Sequence, residues 1–127
     1  MAAKARQLAS AAKMPHYVGI GHANQGWAEL VLAGSDLAHE ELQTALGIWR
    51  SELPVYPMQW LAIWPLVDLF LQRERPADAL PLLAFLLEES QERPPEELEQ
   101  RLRRLGDGSD PGQMRAAVEA ARRHGYL

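Results

Sequence analysis

The chain has 127 residues, the length of one domain, and its 47% hydrophobic and 24% charged residues are an ordinary globular composition that argues against disorder. Its formal net charge of −4 argues against nucleic-acid binding, because neutralising phosphates usually needs a basic excess. There is no cysteine, so disulfides and thiolate metal sites are excluded, and a reducing cytoplasm is the expected location.

Helix-forming residues dominate the chain and predict an all-α fold. Apolar residues recur at spacings of three and four, and no stretch alternates with a period of two. Prolines, glycines and capping residues divide the chain into about seven predicted helices joined by short loops. In chain order these are 2–13, 16–33, 36–52, 57–73, 76–91, 96–105 and a final helix that begins at Asp110 and Pro111.

The sequence repeats itself with a period of 39 residues. Sliding the chain by that length lays 15–53 over 54–92 with eight identities, and Pro15 then coincides with Pro54. Small residues and helix breaks fall in the same phase, so each unit is predicted to be an antiparallel helical hairpin. We expect a single helical-repeat domain made of a partial repeat at 2–14, repeats at 15–53 and 54–92, and C-terminal capping helices at 93–127.

The second unit resembles a known family at its turn. Residues 69–80 form a Leu- and Ala-rich run, a turn ending in Pro76 and the start of a new helix, and Leu82, Leu83 and Ala84 follow. This resembles the diverged tetratricopeptide repeats of bacterial signalling ATPases and transcriptional regulators, in which a Gly-Arg-Pro-Glu-x-Ala turn separates such helices. The resemblance covers about residues 3–105 and implies a right-handed, tetratricopeptide-like (TPR-like) stack of antiparallel hairpins, whose concave face binds a peptide or partner domain. It also implies close helix contacts at small residues, namely Gly26, Ala38 and Ala45 in the first repeat and Ala77 and Ala84 in the second.

The repeat register also predicts how the helices pack. Helices 16–33 and 57–73 should lie side by side and nearly parallel, with 36–52 and 76–91 forming a second layer. Pro65 stands where the family has a small residue, and it should bend its helix because it removes one backbone donor. Pro81 should have the same effect to a lesser degree. The final helix is predicted to cap the last hairpin with one apolar side, formed by Met114, Ala117, Val118 and Ala121.

No motif in the sequence predicts catalysis, a cofactor or a metal site. His16 and His22 lie about 240° apart around a helix, so they cannot share one ligand face. Residues 106–109 lack the preceding strand and the following Lys of a phosphate loop, and they are predicted to be a linker. The remaining histidines and the adjacent glutamates are interpreted as surface or structural residues, not as catalytic ones: His39, His124, Glu40 with Glu41, and Glu96 with Glu97.

Trp49, Trp60 and Trp64 leave two interpretations open. Trp60 and Trp64 lie one turn apart on a helix that is apolar almost all round, and such a helix is usually central and buried on two sides. The tryptophans would then pack in the core. Alternatively they anchor a partner, because exposed Trp and Tyr are common interface hot spots. The apolar run at 60–71 is too short and too interrupted to span a membrane.

One stripe in register on the leading helices of both repeats is the predicted binding surface. It consists of Tyr17, Gly21, Asn24 and Ala28, followed by Tyr56, Trp60, Ile63 and Val67. The residues predicted to contact a partner protein or peptide are Tyr17, Asn24, Trp27, Tyr56, Trp60, Ile63 and Trp64. The basic residues Arg101 and Arg103 follow Glu97 and Glu99 by one turn, so they are predicted to form a solvated face and not a nucleic-acid patch.

The N-terminal segment supports an alternative, structural function. Residues 2–13 resemble only the second helix of a hairpin, and their small apolar residues should pack on helix 16–33: Ala2, Ala5, Leu8, Ala9 and Ala12. The face left without a leading helix is expected to be covered by another subunit, by an upstream domain or by a neighbouring molecule in a crystal. The chain would then be an assembly protein that self-associates through its open N-terminal face.

Overall fold

The computed structural model of the chain describes residues 15–32, 35–52, 56–105 and 110–127, and over these ranges the fold is all-α, as predicted. Six helices occur there: α1 (Pro15–Leu32), α2 (Ser35–Glu52), α3 (Trp60–Gln72), α4 (Pro76–Phe85), α5 (Glu96–Arg104) and α6 (Pro111–Arg123). The predicted helix 2–13, its self-association face and the 106–109 linker lie outside the described residues. None of the helices in these ranges is long and apolar enough to cross a bilayer.

Helix starts follow the local chemistry that the sequence predicts. Asp110 caps α6, since its Oδ1 accepts a hydrogen bond from the Gln113 backbone N–H at 2.8 Å. Pro76 occupies the first turn of α4, where a missing N–H has no cost. In α5, glutamates fill the first turn and arginines the last, which complements the helix dipole at both ends.

The second hairpin differs from the prediction at the N-terminal end of α3 and the C-terminal end of α4. Residues 57–59 form a turn, so α3 begins at Trp60, and α4 ends at Phe85 rather than at 91. The Gln91 side chain explains both changes: its Nε2 donates to the Tyr56 carbonyl at 2.9 Å and its Oε1 accepts from the Gln59 backbone N–H at 3.3 Å. The backbone groups before α3 are thereby satisfied by the segment after α4, and that segment leaves the helical path.

The first hairpin packs closely through small residues. A Cβ added to Gly26 would lie 2.6 Å from Leu42 Cγ, and one added to Gly19 would overlap the Trp49 indole. Ala38 and Ala45 are fully buried on α2. The close contacts predicted for Gly26, Ala38 and Ala45 are therefore confirmed.

The second hairpin does not keep the same register. Ala77 and Ala84 were expected at close helix contacts, but both are exposed. The buried residues of α4 and the segment after it follow those of α2 by 41 positions instead of 39: Ala38 corresponds to Ala79, Leu42 to Leu83 and Ala45 to Leu86. The predicted small-residue contact in this hairpin is wrong, because α4 turns a different face inward.

Helix α3 lies at the centre and contacts α1, α2, α4 and α6. Asp36 pairs with Arg73 at 2.7 Å at one end of α2, and the Trp49 and Tyr56 rings lie 4.8 Å apart at the other. These contacts make α2 antiparallel to α3, so α1 and α3 run in the same direction and side by side, as predicted. Between α2 and α4, by contrast, no close backbone approach occurs in the described ranges, and Arg50 over the Phe85 ring at 5.0 Å connects them.

Helix α6 packs across α3, α4 and α5, and its capping role stays a prediction. Arg115 Nη2 donates to the Leu71 carbonyl at 3.5 Å, and the Tyr126 ring meets Trp60 at 4.6 Å. These contacts make α6 antiparallel to α3.

Pro65 and Pro81 lie inside continuous helices and end neither of them. Each nitrogen lacks a hydrogen to donate, so the carbonyls of Leu61 and Ala77 receive no bond from these positions. The bend expected at Pro65 stays a prediction.

Candidate partner-binding surface

Among the side chains of α1 that the structure describes, Trp27 is the large aromatic one exposed to solvent. It is 43% exposed, and Asn24, one turn earlier, is also exposed. The cause is local: Ala23 and Gly26 face the hairpin interior, and the residue after each is rotated by about 100° away from it. Trp27 and Leu37, which is 57% exposed at the start of α2, are the large apolar side chains left at the surface of the described chain.

Tyr56 and Trp60 are half-buried and lie at the start of α3. The Tyr56 ring is tilted against Trp49, and Trp60 packs edge-to-face on Tyr126. The Trp60 Nε1 is buried and has no hydrogen-bond partner among the described residues. Both rings therefore offer a partner only part of their surface.

Ile63 and Trp64 are in the core, with exposed fractions of 0% and 1%. Helix α3 is covered by four other helices, so these side chains leave no surface for a partner to contact. Trp49 is fully buried as well. Of the two interpretations of the tryptophans, the structure places Trp49 and Trp64 in the core and Trp60 at its edge.

The predicted stripe is only partly on the surface. Gly21 is buried on α1 and Val67 on α3, whereas Asn24 is exposed. The side chain of Tyr17 lies outside the described part of the chain. The accessible members of the predicted set are thus Asn24 and Trp27, with Tyr56 and Trp60 partly accessible.

The described histidines make structural contacts. The His22 Nδ1 contacts the Glu41 carboxylate between α1 and α2, and the His39 ring lies 5.7 Å from that of Phe70. Within the described ranges, no group of three or more His, Cys, Asp or Glu residues could hold a metal ion.

Ion pairs connect α5 to α6 and account for the predicted solvated face. Glu97 pairs with Arg101 one turn on, at 3.6 Å, and with Arg123 of α6 at 2.6 Å. Hydrogen bonds from Arg123 and His124 lower the pKa of the Glu97 carboxyl. The hydrogen bond from Arg93, assisted by Arg103, lowers the pKa of Glu99 in the same way. The i,i+4 pairs predicted for this helix are confirmed.

Sequence reasoning missed a groove between α4 and α5. Its floor is a cavity of about 240 Å³ that is lined by Leu80, Ala84, Leu87, Leu102, Arg103 and Leu105. An adjoining cleft of about 370 Å³ shares Leu87 and Arg103 and continues past Glu88, Glu89 and Arg93. We call the two together the α4–α5 groove. The sequence pattern did not predict this groove, because it predicted that the helix continues to residue 91. In the structure α4 ends at Phe85, and the groove lies where the chain turns away.

A further open cleft of about 370 Å³ lies between the C-terminal end of α3 and α6. It is lined by two apolar residues and by charged ones that include Asp68 and Glu119. These two carboxylates already share Arg122, at 3.6 and 2.5 Å. Much of the charge in this cleft is therefore neutralised within the chain.

Comparisons of the chain with protein-family models, with curated proteins and with solved structures found no match. The tetratricopeptide resemblance therefore stays a prediction. The function proposed below depends on the geometry of this chain.

Proposed function

We propose that this chain is a cytoplasmic protein-interaction module, a short TPR-like array that binds a peptide or a partner domain and does not catalyse a reaction. The exposure of Trp27 on α1 is the observation that carries the proposal. Tryptophan is enriched among the residues that dominate binding energy at protein interfaces. Asn24 beside it can supply a hydrogen bond that fixes the orientation of a partner.

The arrangement of the first three helices supports the proposed TPR-like array. In a stack of helical hairpins, the leading helices run in one direction and lie side by side. Helices α1 and α3 meet this condition, and the glycine contacts between α1 and α2 hold the first hairpin together. Helix α6 runs against α3, so we propose that the array ends with the second hairpin and that α5 and α6 close it.

Comparative capture from a lysate of the source organism tests the proposal. Wild-type chain, Trp27→Ala and the control Gln43→Ala are immobilised separately, and the captured proteins are quantified by mass spectrometry. Trp27 and Gln43 are both exposed, so both substitutions should leave the fold intact.

We expect at least one protein whose recovery falls about tenfold or more with Trp27→Ala and is retained with Gln43→Ala, as for a hot-spot residue. Identical capture profiles for the three proteins would contradict the proposal.

A further inference from the structure

The floor of the α4–α5 groove is apolar and open. Five of the six residues that form it are Leu or Ala, and three of the leucines are only half-buried: Leu80, Leu87 and Leu105. Helices α4 and α5 approach each other at few points because the ten residues between them form turns and an extended segment. Apolar surface that stays exposed among the described residues, as here, is typical of a contact site for another chain.

The outer face of α4 beside the groove consists of small, uncharged residues. Ala77, Pro81 and Ala84 follow one another at spacings of four and three, and all three are exposed. Small residues let the backbone of another helix approach closely, as Gly26 of α1 does against Leu42 of α2. The exposed small residues of α4 therefore offer a face suited to close packing by a further helix.

The open end of the groove carries a net negative charge, because three glutamates, Glu88, Glu89 and Glu99, line it with two arginines. Glu88 and Glu89 line it, are exposed and pair with no side chain among the described residues. On the opposite wall, Arg93 and Arg103 are already held by Glu99, at 3.3 and 3.4 Å. The two free carboxylates also follow the C-terminal end of α4, where the helix dipole favours a cation.

We propose that the α4–α5 groove binds an amphipathic helix of a partner protein, whose aliphatic stripe lies on the groove floor and whose Lys or Arg residues lie beside Glu88 and Glu89. The inference rests on the proposed function and adds a second binding surface to it. Helix α1 contacts neither α4 nor α5 within the described ranges, so Trp27 is not part of this surface.

Synthetic peptides test the inference on the intact 127-residue chain. All the peptides have the same amphipathic helical sequence with a stripe of Leu and Ala. They differ in one pair of residues, Lys-Lys, Gln-Gln or Glu-Glu, which is placed at the N-terminal end in one set and at the C-terminal end in another. Fluorescence anisotropy measures their affinities for the wild-type chain and for Glu88→Lys/Glu89→Lys. A second test variant, Ala84→Arg, places a charge on the groove floor at an exposed position. Trp27→Ala alters the other surface and serves as the control.

With the wild-type chain, the Lys-Lys peptide should bind about three- to tenfold more tightly than the Glu-Glu peptide, and the difference should shrink in high salt. The charge-reversed variant should prefer the Glu-Glu peptide. Ala84→Arg should weaken every peptide about tenfold or more, whereas Trp27→Ala should change none of them.

Equal affinity of the wild-type chain for the Lys-Lys and Glu-Glu peptides would overturn the inference, and so would a preference for the Lys-Lys peptide that survives the charge reversal. Self-association of the chain that Ala84→Arg abolishes would also overturn it, because the groove would then bind a second copy. If no peptide binds but capture by the wild-type chain still depends on Trp27, the groove inference fails and the proposed function stands.

Discussion

The two hairpins have the same spacing of prolines and small residues in the sequence, but their second helices bury different faces. In the first hairpin, α2 has its neighbours on one side, α1 and α3, and its small residues Ala38 and Ala45 are fully buried. In the second, α4 packs against α6 and α5 as well as α3, and Ala77 and Ala84 are exposed. The spacing of prolines and small residues therefore indicates where helices begin and end, whereas the set of neighbouring helices decides which face is buried.

A glutamate placed at equivalent positions of the two repeats gives the largest expected contrast. Ala45→Glu puts an unpaired charge into the core, and we expect a loss of at least about 3 kcal/mol in the free energy of unfolding. Ala84→Glu lies 39 residues later at an exposed position and should change stability by no more than about 0.5 kcal/mol. Urea denaturation of both variants measures the contrast, and similar losses would show that the two hairpins pack alike.

Glycines within the first hairpin provide the next contrast. Gly19→Ala should destabilise the chain by about 1–3 kcal/mol, because the new Cβ meets the rigid Trp49 indole. Gly47→Ala, on the exposed side of α2 with no atom within 4 Å of the new Cβ, should stabilise it by about 0.5–1 kcal/mol. Thermal and urea unfolding of the pair measures both effects. A Gly19→Ala variant as stable as the wild type would disprove the close approach of α1 to α2.

Local chemistry made much of this fold predictable. The Asp110 cap, the proline at the start of α4 and the pairing of Glu97 with Arg101 each depend on residues within one turn of one another. The end of α4 and the groove beside it were not predictable. They depend on Gln91, whose side chain bonds the backbone at Tyr56, 35 positions away.

The candidate site was predictable to a similar extent. Asn24 and Trp27 are exposed because of their positions around α1, which the helical period determines. Ile63 belongs to the predicted stripe and Trp64 to the predicted contact residues, yet four helices cover α3 and bury both side chains. A stripe on one helix does not reveal how many neighbours that helix has.

The turn of the second hairpin contains a strained residue. Glu74 has a φ of 57°, in the left-handed region, and it ends α3 in a Schellman-like turn in which the Arg75 N–H donates to the Phe70 carbonyl at 2.8 Å. Glycine occupies the equivalent place in the tetratricopeptide turn that this segment resembles. Glu74→Gly should therefore stabilise the chain by about 1 kcal/mol, measured by urea denaturation. Glu74→Ala keeps the strain and should give no such gain, and a gain from alanine equal to that from glycine would refute the explanation.

Ion pairs between α5 and α6 give the smallest expected effect. Because the pKa of Glu97 is lowered in the folded chain, its carboxylate stabilises the fold above the ordinary value of 4.5, and this contribution is lost as the pH falls through the lowered pKa. With Glu97→Gln, the unfolding midpoint should depend less on pH in the acidic range. Its dependence on pH near neutrality should not change. The effect should be small because the pair is exposed to solvent. Superimposable acid profiles for variant and wild type would show that the pair contributes nothing to stability.

Site-specific photocrosslinking tests the claim that the chain is a protein-interaction module most directly. A photoreactive phenylalanine derivative replaces Trp27 in one version of the chain and the exposed Gln43 of α2 in another, and both are irradiated in cells of the source organism. We expect a crosslinked species of defined mass from position 27 that position 43 does not yield. No adduct at position 27, or the same adducts at both positions, would contradict the assignment of this surface and the function proposed from it.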